Sequence, residues 1–112
     1  MATQGLLSIV KNNQVHIKVI CGWNGYCIPE LKEKISSLTP EQMTPEIVHQ
    51  HALDIVGGSD RLVTQYAKDK CIFEETDFEP KQGENYFEHF NNPTFNPRWD
   101  HGTSDYTEVL VL

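Results

Sequence analysis

Two short apolar stretches joined by a pair of asparagines constrain this chain more than anything else in it. Leu6 to Val10 has the composition of a strand. Val15 to Cys21 alternates, with Val15, Ile17, Val19 and Cys21 on one side and His16, Lys18 and Ile20 on the other. A period of two sends successive side chains to opposite faces of a strand. The link between them, Lys11-Asn12-Asn13-Gln14, is short, and asparagine tolerates left-handed backbone angles. The two stretches are therefore expected to form a β-hairpin. Gly22-Trp23-Asn24-Gly25-Tyr26 then breaks the pattern with a tight-turn dipeptide, Asn-Gly.

After that turn the period changes. Ile28, Leu31, Ile35 and Leu38 recur every three or four residues and give one apolar face, with Pro29 suited to a first helical turn. Thr39-Pro40 and Thr44-Pro45 both have the form of helix entries, threonine as cap and proline just inside. The second leads through Ile47, Val48, His51, Ala52, Ile55 and Val56 to a stop at Gly57-Gly58, and Ser59 is expected to cap a third helix carrying Leu62, Val63, Tyr66 and Ala67. Cys71–Glu74 and Glu108–Leu112 have strand character, and the prolines and glycines from Pro80 to Gly102 predict a long irregular loop over Asp77–Ser104. The expected architecture is a single α+β domain over residues 1–112. It has an N-terminal β-hairpin in a small antiparallel or mixed sheet, two to three helices on one face, and the long loop before a C-terminal strand.

Charge is unevenly spread. Residues 1–68 carry six basic and six acidic side chains, whereas residues 69–112 carry three basic and ten acidic, so the net charge of -7 lies wholly in the second part. It is densest where Glu74, Glu75, Asp77, Glu79, Glu84 and Glu88 face Lys81 alone. Such a field repels phosphate backbones and attracts basic surfaces, which argues against direct nucleic-acid binding and for a basic protein partner. All five phenylalanines lie between Phe73 and Phe95, and an acidic segment this aromatic is expected to pack on the domain. No apolar run approaches the roughly 18 to 20 residues of a membrane span, so no membrane association is expected. Three cysteines at irregular spacings do not make a disulfide framework, and the N-terminus lacks the basic start of a signal peptide, so a cytoplasmic location is expected.

Motifs with defined chemistry fit poorly. Cys21 and Cys27 are too far apart for a zinc knuckle, and His49 and His51 diverge on a helix, with His51 expected towards the core boundary and His49 towards water. No metal, cofactor or catalytic residue is assigned. Gly57-Gly58-Ser59-Asp60 lacks the lysine of a phosphate loop. Two local candidates remain. Trp23, Asn24 and Tyr26 surround a tight turn, either sealing the edge of the core or forming a recognition loop, and Trp99 and His101 sit together on the long loop. A Cys-His-Asp site could be assembled from Cys21 or Cys27 with His101 and Asp100 or Asp105, although no nucleophile signature surrounds either cysteine.

The two ends of the chain resemble a group of small phage and bacterial proteins. These open with Met-Gly-Thr-Arg-Gly-Leu, run through a hairpin, and reach a Trp-Asp-Gly-Tyr-Pro turn before a helix. The matching positions here are Met1-Ala2-Thr3-Gln4-Gly5-Leu6, then Trp23-Asn24-Gly25-Tyr26 with Pro29 displaced, and the closing Asp105-Tyr106-Thr107-Glu108-Val109-Leu110. Gln4 stands where the group has arginine and Asn24 where it has aspartate. The resemblance implies a phage or mobile-element setting and no catalytic residues.

Two functions follow as expectations. The first is a small acidic, non-enzymatic interaction protein, phage-encoded and inhibiting a host defence factor through an acidic-aromatic surface. Its binding residues would be Trp23, Asn24, Tyr26, Glu74, Glu75, Asp77, Glu79, Trp99 and His101. The alternative is a small hydrolase or ligand-binding module built from the Trp23–Tyr26 turn and His101. The apolar end Val109–Leu112 adds a second copy of the chain to the expected partners.

Overall fold

The computed structural model describes residues 3–57, 62–74, 77–82, 87–97 and 104–112, with the backbone alone for 77–80. Strands β1 (Gly5–Lys11) and β2 (Gln14–Cys21) pair antiparallel as the hairpin predicts. Asn12 and Asn13 make its turn with φ of 54° and 64°. Two positive angles in succession match the right-handed twist of the flanking strands.

Helix α1 (Ile28–Ser36) carries Pro29 in its first turn, and α2 (Pro45–Val56) begins where the Thr44 hydroxyl accepts a hydrogen bond from the Ile47 N–H. Four further strands follow, β3 (Val63–Tyr66), β4 (Cys71–Glu74), β5 (Asp77–Gln82) and β6 (Tyr106–Val111). They complete one mixed sheet in the order β5-β4-β3-β2-β1-β6, with β6 parallel to β1 and every other pair antiparallel. This is an α+β fold.

Leu7, Ile9, Ile17, Val19 and Cys21 point from the hairpin towards the helices. There they meet Ile28, Leu31 and Ile35 of α1 and Val48, Ala52 and Val56 of α2. On the reverse face Leu6, Ile20, Val63 and Ile72 form a second cluster, and Phe87 from the segment after β5 packs against it. Phe90 of that segment is also buried. The sheet is thus covered on both sides, by helices on one and by an aromatic loop on the other.

Three expectations are corrected. The third helix is the strand β3: Leu62, Val63 and Tyr66 fit a helical spacing over so short a window, but Thr64 and Tyr66 also alternate with Val63 and Gln65. The free edge of β2 takes them up through the pairs Ile17–Tyr66 to Ile20–Val63. The expected loop from Asp77 begins instead as β5, where Pro80 is tolerated because an edge strand need not donate outward. Third, His49 is buried rather than facing water, while His51 is half-buried at the core boundary as expected. Of the expected stripe Ile47, Val48, His51, Ala52, Ile55 and Val56, the residues Val48, Ala52 and Val56 are buried, and the buried face extends through Pro45 and His49, leaving Ile47, His51 and Ile55 half-buried at its margin. Thr39-Pro40 opens only a single 3-10 turn, Pro40–Gln42.

Candidate functional site

The end of the sheet from which the Trp23–Tyr26 turn emerges is built by register. Thr107, Leu6, Ile20, Val63, Glu74 and Asp77 lie in one row across all six strands. Thr3 and Gln4, the Trp23–Tyr26 turn, and Asp105 and Tyr106 lie just beyond this row and form a rim, with Glu74 and Asp77 at its β4–β5 end. The structure therefore brings the predicted aromatic turn and part of the predicted acidic segment to the same end of the molecule.

The turn is rigidly seated. Thr3 donates its N–H to the Trp23 carbonyl and accepts from the Gly25 N–H, both at 2.8 Å. Asn24 Nδ2 donates to the Val56 carbonyl at the end of α2 at 3.3 Å. Gly25 lies so close to the backbone of Gln4 and Gly5 that a Cβ there would collide with Gln4. In turn, Gly5 lies under Ile28 and Gly25, and a side chain at Gly5 would meet Ile28 Cγ1 at 2.5 Å. Two glycines in contact are what let the turn cross β1 at this distance. Gln4 donates its N–H to Asp105 Oδ2 at 2.9 Å, and Tyr106 donates to the Gln4 carbonyl at 3.1 Å, which ties β6 to the same corner.

On this scaffold three rings face water: Trp23 is 52% exposed, Tyr26 58% and Tyr106 40%. Tyr106 lies opposite Gly5 in the β1–β6 register, on the helix-bearing face where Gly5 meets Ile28. Asn24 is half-buried and its amide is engaged by the helix terminus, so its role here is to hold the turn. Glu74 is partly exposed and forms a surface ion pair with Lys81 at 3.3 Å. Pairs of that kind contribute little to stability. Of the other expected binding residues, Glu75, Trp99 and His101 lie outside the described residues, as do the side chains of Asp77 and Glu79.

Sequence reasoning missed the polar row on the reverse face. Ser8, Lys18 and Gln65 lie side by side on β1, β2 and β3, all fully buried. Lys18 Nζ donates to the carbonyls of Asn92 at 3.0 Å and Phe95 at 2.9 Å and lies 5.2 Å from the centre of the Phe90 ring. Ser8 Oγ donates to the Pro93 carbonyl at 2.7 Å. The carbonyls are presented by a run of turns in which Asn92 Oδ1 accepts from both the N–H and the hydroxyl of Thr94. Burial pushes the Lys18 ammonium down to about 8 from its ordinary 10.5. In the sequence Lys18 fell on the outward side of the hairpin. The available signal was the aromatic density downstream, which implied a second covered face.

Chemistry of other kinds finds little support among the described residues. Cys21 and Cys71 are buried, Cys27 is half-buried, and none of the three is in a disulfide. Burial, reinforced by the charge of Asp69, raises the Cys71 thiol above its usual range, the wrong direction for a nucleophile. His49 is buried with its Nδ1 2.8 Å from Thr64 Oγ1, and its ring lies against Phe73. Among the described residues no group of three or more His, Cys, Asp or Glu side chains could hold a metal ion, and no helix is long and apolar enough to cross a membrane. Comparisons with protein-family models, with curated proteins and with solved structures found no match.

Proposed function

We propose that this chain is a protein-binding module that contacts a partner with a basic surface through the acidic-aromatic rim, with Trp23, Tyr26 and Tyr106 as its anchors. The exposure of three large rings on a support that cannot fold them away carries this reading. Tryptophan and tyrosine supply most of the energy at protein interfaces when a partner desolvates them. With half of Trp23 left to bury, roughly 130 Å² at 25 cal/mol/Å² corresponds to about 3 kcal/mol.

Charge favours a basic partner. Asp105 and Glu74 stand at the rim itself, Glu108 follows Tyr106 in β6, Glu30 lies in the first turn of α1 just after Tyr26, and neither residues 19–31 nor 104–112 contain a lysine or arginine. The opposite end of the sheet carries Lys11 at the hairpin turn and Lys68 and Lys70 on either side of Asp69 at the β3–β4 turn, all exposed and net basic. The surface is thus polarised along the strands, which orients an approaching basic partner towards the rings. Five clefts among the described residues, of about 320 to 620 Å³, are lined by residues other than Trp23, Tyr26 and Tyr106. This favours a macromolecular surface over a small ligand. In the phage setting that the chain ends suggest, the partner would be a host factor with a basic groove.

The test is capture of binding proteins from lysate at low and high salt by the wild type and by a Trp23→Ala/Tyr26→Ala variant of unchanged thermal stability. A partner bound by the wild type, released by salt and lost by the variant supports the reading. A partner held equally by both removes the rim from consideration.

A further inference from the structure

The two edges of the sheet are built differently. Edge strands expose a row of unpaired backbone groups, and proteins blunt them with charge, proline or bulges. Strand β5 has all three: its sequence Asp-Phe-Glu-Pro-Lys-Gln contains three charges and a proline, and its register with β4 shifts between Ile72 and Glu74. Strand β6, Tyr-Thr-Glu-Val-Leu-Val, has one charge, no proline and an unbroken register with β1 from Gly5–Tyr106 to Val10–Val111. Among the described residues nothing pairs with its outer side. Val111 is 71% exposed.

The outward groups can be identified. Tyr106 donates its N–H to Gln4 and Leu112 donates to Val10, so the even-numbered residues of β6 bond to β1. By strand alternation the N–H and C=O groups of Thr107, Val109 and Val111 face away from the sheet. We propose that this edge pairs with β6 of a second copy, antiparallel, about a twofold axis through Val109, joining the two sheets into one. That register makes three hydrogen-bonded pairs, Val109 with Val109 and Thr107 with Val111 twice, and sets β-branched side chains against each other on the face opposite the helices. Glu108 falls opposite Leu110 of the second copy. Shifting the axis to Glu108 would oppose two like charges, and shifting it to Leu110 would lose the pairs made by Thr107.

Charge also selects a second copy over an unrelated strand. Antiparallel pairing places the acidic end of one sheet beside the end of the other that carries Lys11. Glu74 on β4 and the strand β5 stay towards the far edges, about 19 Å and 24 Å from their own β6 across four and five strand spacings, beyond the Debye length of about 8 Å at physiological salt.

Sedimentation equilibrium of the wild type is expected to give twice the 12.8 kDa chain mass. Val109→Lys and Val109→Glu, each placing like charges on the axis, should each sediment at the single-chain mass, and an equimolar mixture of the two should recover the double mass. Backbone hydrogen exchange of the unaltered protein gives a second measurement that no misfolded variant can compromise. At dimer concentrations the amides of Thr107, Val109 and Val111 should become protected, whereas those of Glu108 and Leu110 are protected at every concentration. A wild type at single-chain mass throughout, variants that leave the mass unchanged, or rapid exchange at the three odd-numbered amides would overturn the proposal. None of these outcomes bears on the rim, which is read through Trp23 and Tyr26.

Discussion

Lys18→Met should leave the stability of this protein almost unchanged at pH 7 and reduce it by about 2.5 kcal/mol at pH 10 relative to the wild type. The reasoning starts from an ammonium buried between the sheet and the Phe87–Asn96 segment, with its folded pKa at about 8 and its unfolded value near 10.5. Below pH 8 both states bind the proton, and the folded state carries the full cost of an enclosed charge, about 3.4 kcal/mol at 1.36 kcal/mol per pH unit. Between pH 8 and 10.5 the unfolded state holds more protons than the folded one. Stability therefore rises with pH across that window and is level above it. The neutral amine keeps two N–H donors for the carbonyls of Asn92 and Phe95, so deprotonation removes the charge without removing the hydrogen bonds.

Methionine has a similar length and no donor. It relieves the buried charge but leaves the two carbonyls without Lys18, at about 1 to 3 kcal/mol each. At pH 7 the gain and the loss nearly cancel. At pH 10 the wild type has already shed most of its penalty, and only the loss remains. Urea unfolding of both proteins at pH 7, 8.5 and 10 isolates Lys18, because every other titrating group is common to the pair. A difference that does not change with pH would show that water reaches the ammonium and that Lys18 does not clamp the loop. A variant much weaker at pH 7 than at pH 10 would reverse the sign and refute the argument outright.

Two further predictions concern the rim and the thiols. Gly25→Ala drives a methyl group into the Gln4 backbone and should destabilise the fold by about 3 kcal/mol while weakening any rim-bound partner, which urea unfolding and binding assays would detect together. Iodoacetamide at neutral pH should label Cys27 first and reach Cys21 and Cys71 only in denaturant, as peptide mass mapping would reveal; early labelling of Cys71 would contradict its burial and its raised pKa.

Local chemistry made the hairpin, α1 and α2 legible, because each is announced within a dozen residues by its own period and its own caps. The misread elements depend on distant neighbours. Val63–Tyr66 is a strand because β2 offers it an edge, and His49 is buried because Thr64 and Phe73 wait beneath it. Lys18 is the sharpest case. Nothing in Val-His-Ile-Lys-Val distinguishes a lysine in water from one enclosed by carbonyls contributed from more than 70 positions away. On the rim, Trp23 and Tyr26 were visible as rings beside a turn, but Tyr106 joins them only through the parallel pairing of β6 with β1, which no local pattern encodes.

That same pairing connects the two proposed surfaces. Tyr106 begins β6 and Val109 would lie on the twofold axis, so the two Tyr106 residues of a dimer would stand about 20 Å apart along the seam, at 3.3 Å per residue. An axis normal to the sheet keeps both on the helix-bearing face. Each rim would then lie at one end of the joined sheet, pointing in opposite directions, with Trp23 and Tyr26 clear of the seam and Tyr106 opposite Leu112 of the second copy. The exposed turn and the unguarded edge are in this sense compatible. Pairing through β6 consumes Thr107, Val109 and Val111, whereas Trp23 and Tyr26 are held by Thr3, Gly5 and Val56 and remain available to a partner. A dimer would present two such sites, and a partner with repeated basic surfaces would gain avidity from geometry alone, without any new contact within either site.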